Sequence, residues 1–525
     1  MTGGTILGRW LETTAAHPGN VAIRTRSREV TYAGLAMRAE CHRDEFSRIT
    51  GASPVLIACA DRIETVAALL AAMAVGRAFA PVSVLTPPPR LAAMLDELDP
   101  QIIVVDETGD TALRKAADGD PRLLRGRRVI RTRDPAGASA KPFDPAQFDP
   151  ARWEPAAGPD RGYVYFTSGT SGRPKGVMGS LEAIAHFVDW EIAELGVTPG
   201  TRVSSLTSPG FDAFLRDALV PLCSGGSMCV APRTAQAGPG LARWLESSGV
   251  RLLHCVPTVF RTLRPLDLTG RSLPELRTVL LAGETVRASD VRWWRGLFGD
   301  RKELVNLYGS SETTMGKVFH RITAADETAD RVPVGTPMPG VSVRVLGAAK
   351  TGDAGEIEIS VPFRLHGYLT GRTGGFDPAD PHRYRTGDLG RLREDGALEV
   401  LGRRDRQVKL RGWRIELDDV TNVLLGHPAV HDVHVTVEGE ETGDAGRTED
   451  AGRTEDSRAV LRAYVVSTGG GDERELLRFA RGRLPLAMVP DEFVLVDVLP
   501  RTLNGKVDQE RLRVAQVPGP ASEGE

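Results

Sequence analysis

Two spacings of apolar residues alternate along the first half of the chain. Between Val55 and Asp106, unbroken apolar runs (VLIACA, AFAPVS, IIVVD) are separated by stretches with helical spacing (ETVAALLAAMAV, PRLAAMLDEL). Short continuous runs are strands covered on both faces, and helices between them predict parallel βαβ units. Residues Glu107 to Pro159, rich in Asp, Arg, Gly and Pro, read as a surface connection. A second series follows, with a strand from Tyr163 to Phe166 and helices over Glu182–Leu195 and Ala213–Leu222. Its further strands are expected over Arg202–Leu206, Ser227–Val230, Arg251–Val256, Arg277–Ala282 and Glu303–Tyr308. The fold class expected is α/β, with a large layered N-terminal body of parallel α/β units.

After Val341 the pattern shortens to strands with Gly turns (VSVRVL, GEIEIS, ALEVLG), which predicts a small β-rich subdomain closing the body. From Gly402 a smaller α+β domain is expected. It has helices over Glu416–Leu425 and Glu473–Arg483 and strands over Val430–Val437, Ala459–Val466 and Phe493–Val496. The division expected is 1–402, 403–515 and a disordered tail, 516–525. The repeat DAGRTEDAGRTED at 444–456 lacks apolar periodicity and reads as a disordered loop expansion.

Composition narrows the class. A chain of 525 residues is too long for one core and implies two to four domains at about 100 to 200 residues each. With 66 basic against 69 acidic residues the net charge is −3, so nothing favours bulk attraction to nucleic acid or an anionic membrane. The five cysteines, Cys41, Cys59, Cys223, Cys229 and Cys255, form no CxxC pair and suit buried free thiols in a reducing compartment. No stretch has the pattern of a signal peptide or a membrane span, so a cytoplasmic location is expected.

Candidate chemistry centres on YFTSGTSGRPKGVM, residues 165–178. Gly169, Gly172 and Gly176 allow close backbone approach, Thr167, Ser168, Thr170 and Ser171 offer hydroxyls, and Lys175 adds a charge. Such a loop suits phosphate, although it lacks the Walker A spacing and, taken alone, also fits a flexible turn. Other residues have equally plain readings when isolated. Asp388 fits an Asx turn, Tyr308 a core aromatic, Glu312 a first-turn acid, Lys506 a turn lysine and Asp212 a helix N-cap.

Five motifs in order change that balance: the loop just described, NLYGSSETT (306–314), YRTGD (384–388), GRRDRQVKLRGWRIEL (402–417) and PRTLNGKVD (500–508). Together they resemble the acyl-adenylate-forming superfamily and, within it, free-standing amino-acid adenylation domains of nonribosomal peptide synthetases. The resemblance implies ATP and Mg²⁺ as cofactors, and a mobile C-terminal lid. It implies that Thr167, Ser168, Thr170 and Lys175 hold the β- and γ-phosphates, with Ser311 standing where the family usually has threonine. Glu312 would hold Mg²⁺, Tyr308 stack on adenine, Asn306 bond its amino group, and Asp388 accept from the ribose hydroxyls with Arg403 nearby. Lys506 would bridge the substrate carboxylate and the α-phosphate, and Asp405 would be the hinge of the lid.

The same resemblance implies an amino-acid pocket. Asp212, in FDAF, would bind the α-ammonium, with Ala213, Arg216, His254, Leu280, Ala282, Leu307, Met315 and Gly316 around the side chain. Bulky Arg216, His254, Leu307 and Met315 lean the reading to a small residue of alanine or serine size, with an acidic side chain paired by Arg216 and His254 second. The partners implied are a carrier protein with a phosphopantetheine arm, acting in trans, with a small activating protein left open. An acyl- or aryl-CoA synthetase and a non-catalytic nucleotide-binding scaffold are the alternatives.

Overall fold

The computed structural model describes residues 5–118, 120–132, 153, 162–167, 173–371, 374–404, 407–438, 459–467, 472–500, 507 and 511–512. They form two compact units, the first reaching Arg404 without Arg173 and the second made of Arg173 and the described residues from Gln407 onward. The repeat at 444–456 and the tail from 516 lie outside the described residues.

Two large sheets build the first unit. In the seven-stranded sheet the apolar runs Val55–Ala58, Phe79–Pro81, Ile102–Val105 and Tyr163–Thr167 lie parallel. Lys175–Gly179 and Gly367–Tyr368 add antiparallel strands at one edge. In the nine-stranded sheet six parallel strands, Val21–Arg24, Arg202–Ser205, Ser227–Val230, Leu252–Cys255, Thr278–Ala282 and Glu303–Gly309, run through the middle. Antiparallel strands finish both its edges, among them Gly316–Arg321 beside Glu303–Gly309. The helix Arg62–Ala74, started by the Asp61 side chain, is buried along nearly its whole length. Its run of alanines permits this, because small side chains let neighbouring elements approach from every side.

The α/β class and the change after Val341 agree with the sequence pattern. The β-rich part is a four-stranded antiparallel sheet of Ser342–Leu346, Gly355–Ser360, Arg383–Leu392 and Leu398–Arg403. Two expectations need correction. The stretch from Glu107 is not mere connection: it forms the helix Glu107–Ala117, capped by Asp106, and the strand Arg128–Arg131 on the seven-stranded sheet. Leu113, Ala116 and Ala117 are buried there while the Asp and Arg side chains that dominate its composition stay outside. Cys41 is exposed, whereas Cys59, Cys229 and Cys255 are the buried free thiols.

From Gln407 the second unit runs into a hairpin, Gln407–Leu410 and Trp413–Glu416, turned by Arg411 and Gly412, both at positive φ as a two-residue turn of this hand demands. Helices Leu417–Leu425 and Glu473–Arg481 pack with a three-stranded sheet of Val430–Glu438, Val460–Ser467 and Glu492–Leu495. Val420, Leu424, Val435, Leu461 and Leu476 form its core.

Candidate active site

Residues Asn306–Gly316 thread past three clusters of polar groups in the first unit. At the start of the segment, the buried Tyr308 hydroxyl donates to Asp388 Oδ2 at 2.6 Å, and Arg403 donates to Asp388 Oδ1 at 2.6 Å. Asp388 and Arg403 are direct partners on adjacent strands, so the sheet itself sets this ion pair. Asn306 donates its amide Nδ2 to the Pro333 carbonyl at 2.9 Å, which leaves its Oδ1 as an acceptor.

In the middle of the segment, Ser311–Thr313 form a single tight turn that buries Glu312. Tyr368 donates its hydroxyl to Glu312 Oε1 at 2.9 Å, and the Lys175 ammonium sits 6.0 Å from the centre of the same tyrosine ring. Lys175 opens the strand that pairs with Tyr163–Thr167, and Thr167 is its register partner, so both ends of the Gly/Ser loop meet here.

At the end of the segment, Thr314 and Met315 have φ of 64° and 61°. Two successive non-glycine residues in this region cost roughly 1 to 3 kcal/mol each, so the surroundings must hold them. Tyr163 does so from one side, through a 2.7 Å hydrogen bond between its hydroxyl and Thr314 Oγ1. The turn aims the Met315 N–H at Asp212 Oδ2, 3.3 Å away, while Asp212 Oδ1 accepts from Ala213 N at 2.9 Å and caps the helix Ala213–Leu222. Burial raises the Asp212 carboxyl above the ordinary range, against the Ser311, Met315 and Ala213 donors that favour its charge.

Around Asp212, Leu280, Leu307 and Met315 are buried, and Ala282 pairs with Leu307. Gly316 has no room for a side chain: a Cβ there would lie 2.3 Å from Leu307 Cγ. Arg216 and His254 turn to partners of the chain itself. His254 is fully buried, with Nδ1 3.0 Å from Asp217 and Nε2 2.6 Å from Glu191, and Arg216 lies 3.5 Å from Asp217. Burial alone would lower the imidazole, but Glu191 and Asp217 outweigh it and hold His254 above its ordinary value. Ser168, Thr170, Asp405 and Lys506 lie outside the described residues.

The model of the AMP-binding enzyme family matches residues 11–369. The chain belongs to this family. It is 33% identical to a protein of Salinispora arenicola named "probable non-canonical nonribosomal peptide synthetase CymA", over 97% of this chain but 6% of that protein. Against Novobiocin biosynthesis protein H of Streptomyces niveus it is 32% identical over 97% of this chain and 82% of that protein. Among solved structures, holo-PA1221, a nonribosomal peptide synthetase protein with adenylation and carrier domains, matches with a TM-score of 0.77 and 25% identity over 98% of this chain and 85% of that one. The Vibrio cholerae adenylation domain AlmE, solved with glycyl-adenosine-5′-phosphate, shares the fold at a TM-score of 0.79 and 20% identity. The chain spans 6 to 33% of the length of the first curated relatives it matches.

Within this AMP-binding enzyme, sequence reasoning missed Tyr368, Glu191 and, at the second position of the strand Gly316–Arg321, Lys317. Lys317 is fully buried, its Nζ has no hydrogen-bond partner among the described residues, and the rings of Phe363 and Phe187 stand 5.1 and 5.6 Å from it. Burial pushes its amine down to about 7, with the Asp212 carboxylate pulling the other way. No described helix is long and apolar enough to cross a membrane.

Proposed function

We propose that this chain activates a small α-amino acid as its adenylate and passes the aminoacyl group to the phosphopantetheine thiol of a carrier protein. A carboxylate oxygen of the amino acid attacks the α-phosphorus of ATP, the bond to the bridging oxygen breaks, and pyrophosphate leaves. In the second step a thiol sulfur replaces AMP at the acyl carbon and its proton goes to solvent. The single observation that carries this reading is the Asn306–Gly316 segment, eleven residues long, which touches Asp388, Tyr368 and Asp212 in turn. On this reading one stretch of chain serves a nucleoside end, a phosphate region and an amino group.

The residue roles follow from the donors and acceptors present. Asp388 keeps lone pairs for two ribose hydroxyls beyond those used by Tyr308 and Arg403, which pin its plane. Tyr308 offers its ring to adenine, and the Asn306 Oδ1 accepts from the adenine amino group. Lys175, with Thr167, Ser168 and Thr170, binds the departing phosphates, and Lys506 supplies the cation at the α-phosphate. Asp405 serves as the hinge, so that one unit supports both half-reactions. Mg²⁺, when bound, supplies charge neutralisation on the triphosphate. Glu312 is the hard oxygen ligand that suits it, and the described residues contain no cluster of three or more His, Cys, Asp or Glu side chains able to form a protein cage.

Asp212 supports an α-amino acid over a fatty or aryl acid, because a buried carboxylate calls for a cationic partner. The crowding of Leu280, Leu307, Met315 and Gly316 supports a small side chain. Both nitrogens of His254 are already held, by Glu191 and Asp217, so it gives an acidic side chain no support, and the Arg216 guanidinium lies 3.5 Å from Asp217. ATP–pyrophosphate exchange with pooled amino acids and with pooled carboxylic acids tests the reading. Exchange confined to the amino-acid pool is expected, and exchange confined to the carboxylic acids, or tight ATP binding with no exchange at all, would overturn it. A separate carrier protein bearing its phosphopantetheine arm, added to the same reaction, reads out transfer in trans as thioester.

A further inference from the structure

Lys317 has no function in the reading above, yet it is the least comfortable side chain near the pocket. It follows Met315 and Gly316 directly, is fully buried, and its ammonium nitrogen stands over the rings of Phe187 and Phe363. Its Nζ finds no hydrogen-bond acceptor among the described residues. An unpaired buried ammonium is strongly unfavourable, and two aromatic faces offset only part of the lost hydration.

The charges facing Lys317 come from two elements. Asp212, at the start of the helix Ala213–Leu222, bears on it without forming an ion pair. His186, on the helix Leu181–Glu194, is pushed below its ordinary value first by burial and then by Lys317, so it brings no compensating charge. Of the further buried acids, Glu191 bonds His254 through one oxygen, Asp217 bonds His254 and lies 3.5 Å from Arg216, and Glu312 accepts from Tyr368. In the proposed activation Asp212 is taken as well, by the ammonium of the substrate. What Lys317 lacks is an anion delivered by the ligand.

We propose that Lys317 determines specificity, receiving the side-chain carboxylate of a small acidic α-amino acid of aspartate size while Asp212 holds the α-ammonium. The inference rests on the amino-acid-activating reading. It places the acid-binding charge at Lys317 and not at Arg216 or His254. A carboxylate on the nitrogen restores the ammonium that burial disfavours, and this gain is unavailable to a neutral side chain of the same shape.

The test is ATP–pyrophosphate exchange by the full chain with aspartate, asparagine, serine and alanine, repeated for Lys317→Met and Lys317→Arg. Expected for the unaltered protein is a kcat/KM for aspartate on the order of a hundredfold above that for asparagine, its neutral isostere. Lys317→Met should abolish that preference mainly through KM while keeping or raising exchange with alanine, and Lys317→Arg should restore part of it. The panel on the unaltered protein needs no variant to fold. Exchange with alanine or serine but not aspartate overturns the role of Lys317 and leaves amino-acid activation standing, as does an equal loss on all substrates in Lys317→Met. Absence of exchange with every amino acid overturns both.

Discussion

Replacing Lys317 by methionine tests the physical premise of the pocket apart from any substrate. In the unfolded chain this amine titrates near its ordinary 10.5, and in the folded protein burial lowers it to about 7. Between those values the unfolded state holds a proton that the folded state does not, so stability rises with pH across this window. Read downward, the stability that the neutral amine permits is present above 10.5 and is lost as pH falls through about 7. The interval corresponds to at most about 5 kcal/mol. Methionine has nearly the same reach, carries no charge, and sets a thioether between Phe187 and Phe363 in place of the ammonium. The variant should therefore exceed the unaltered protein by about 2 to 4 kcal/mol at pH 7, after allowing for the lost cation–π contacts, and the difference should close towards pH 10. Urea unfolding followed by tryptophan fluorescence at pH 7, 8.5 and 10 measures it. Working from pH 7 upward keeps His186 neutral throughout, since its ring is also lowered from the ordinary value. A difference that stays constant with pH would refute the premise, because an exposed or well-paired lysine contributes no such slope.

Three further outcomes follow from the same geometry. Asp212→Asn keeps the helix cap, for which asparagine serves about as well, yet should raise KM for the amino acid by roughly thirty- to a thousandfold while leaving the des-amino carboxylic acid unaffected. Because burial raises Asp212, the amino-acid KM should begin to climb with falling pH sooner than an ordinary carboxylate would make it, and equal loss on both substrates would count against the role. Glu191→Ala, which leaves His254 and Arg216 to share Asp217, should cost about 3 kcal/mol in urea unfolding at pH 7, and a cost under about 0.5 kcal/mol would show that the network is not coupled. Lys506→Ala should lower pyrophosphate exchange by at least about a hundredfold with ATP binding retained, and near-normal exchange would remove that residue from the chemistry.

The sequence is legible where one physical demand acts on neighbouring residues. The parallel strands announce themselves because each is buried on both faces, and Val55–Ala58 or Ile102–Val105 has no polar position at all. The loop at 165–178 and the segment 306–316 are legible for a related reason: each gathers donors or acceptors for one ligand within a dozen or so residues. The helix Glu107–Ala117 is hidden because, of the four residues it buries, Gly109, Leu113, Ala116 and Ala117, three are Gly or Ala and give little apolar signal. The strand Arg383–Leu392 is hidden because alternate positions face solvent and the Gly-Asp pair inside it looks like a turn.

The pocket obeys a different rule. In GKVFHR nothing near Lys317 says that Phe187 and Phe363, 130 residues before it and 46 after, close over its nitrogen. His254 reads as a cation waiting for an anion until Glu191 and Asp217, 63 and 37 positions earlier, are found on its two nitrogens. The left-handed turn at Thr314 and Met315 is equally unannounced, since neither residue favours it and Tyr163 is what helps hold it. Reaction type is thus carried by contiguous groups that any sequence with this chemistry must display, while choice of substrate is carried by charges whose partners meet only after folding. For this reason the small-residue reading and the acidic reading looked like rivals on the sequence. In the folded pocket they become one question, whether the small side chain that fits against Leu307 and Met315 also brings the anion that Lys317 lacks.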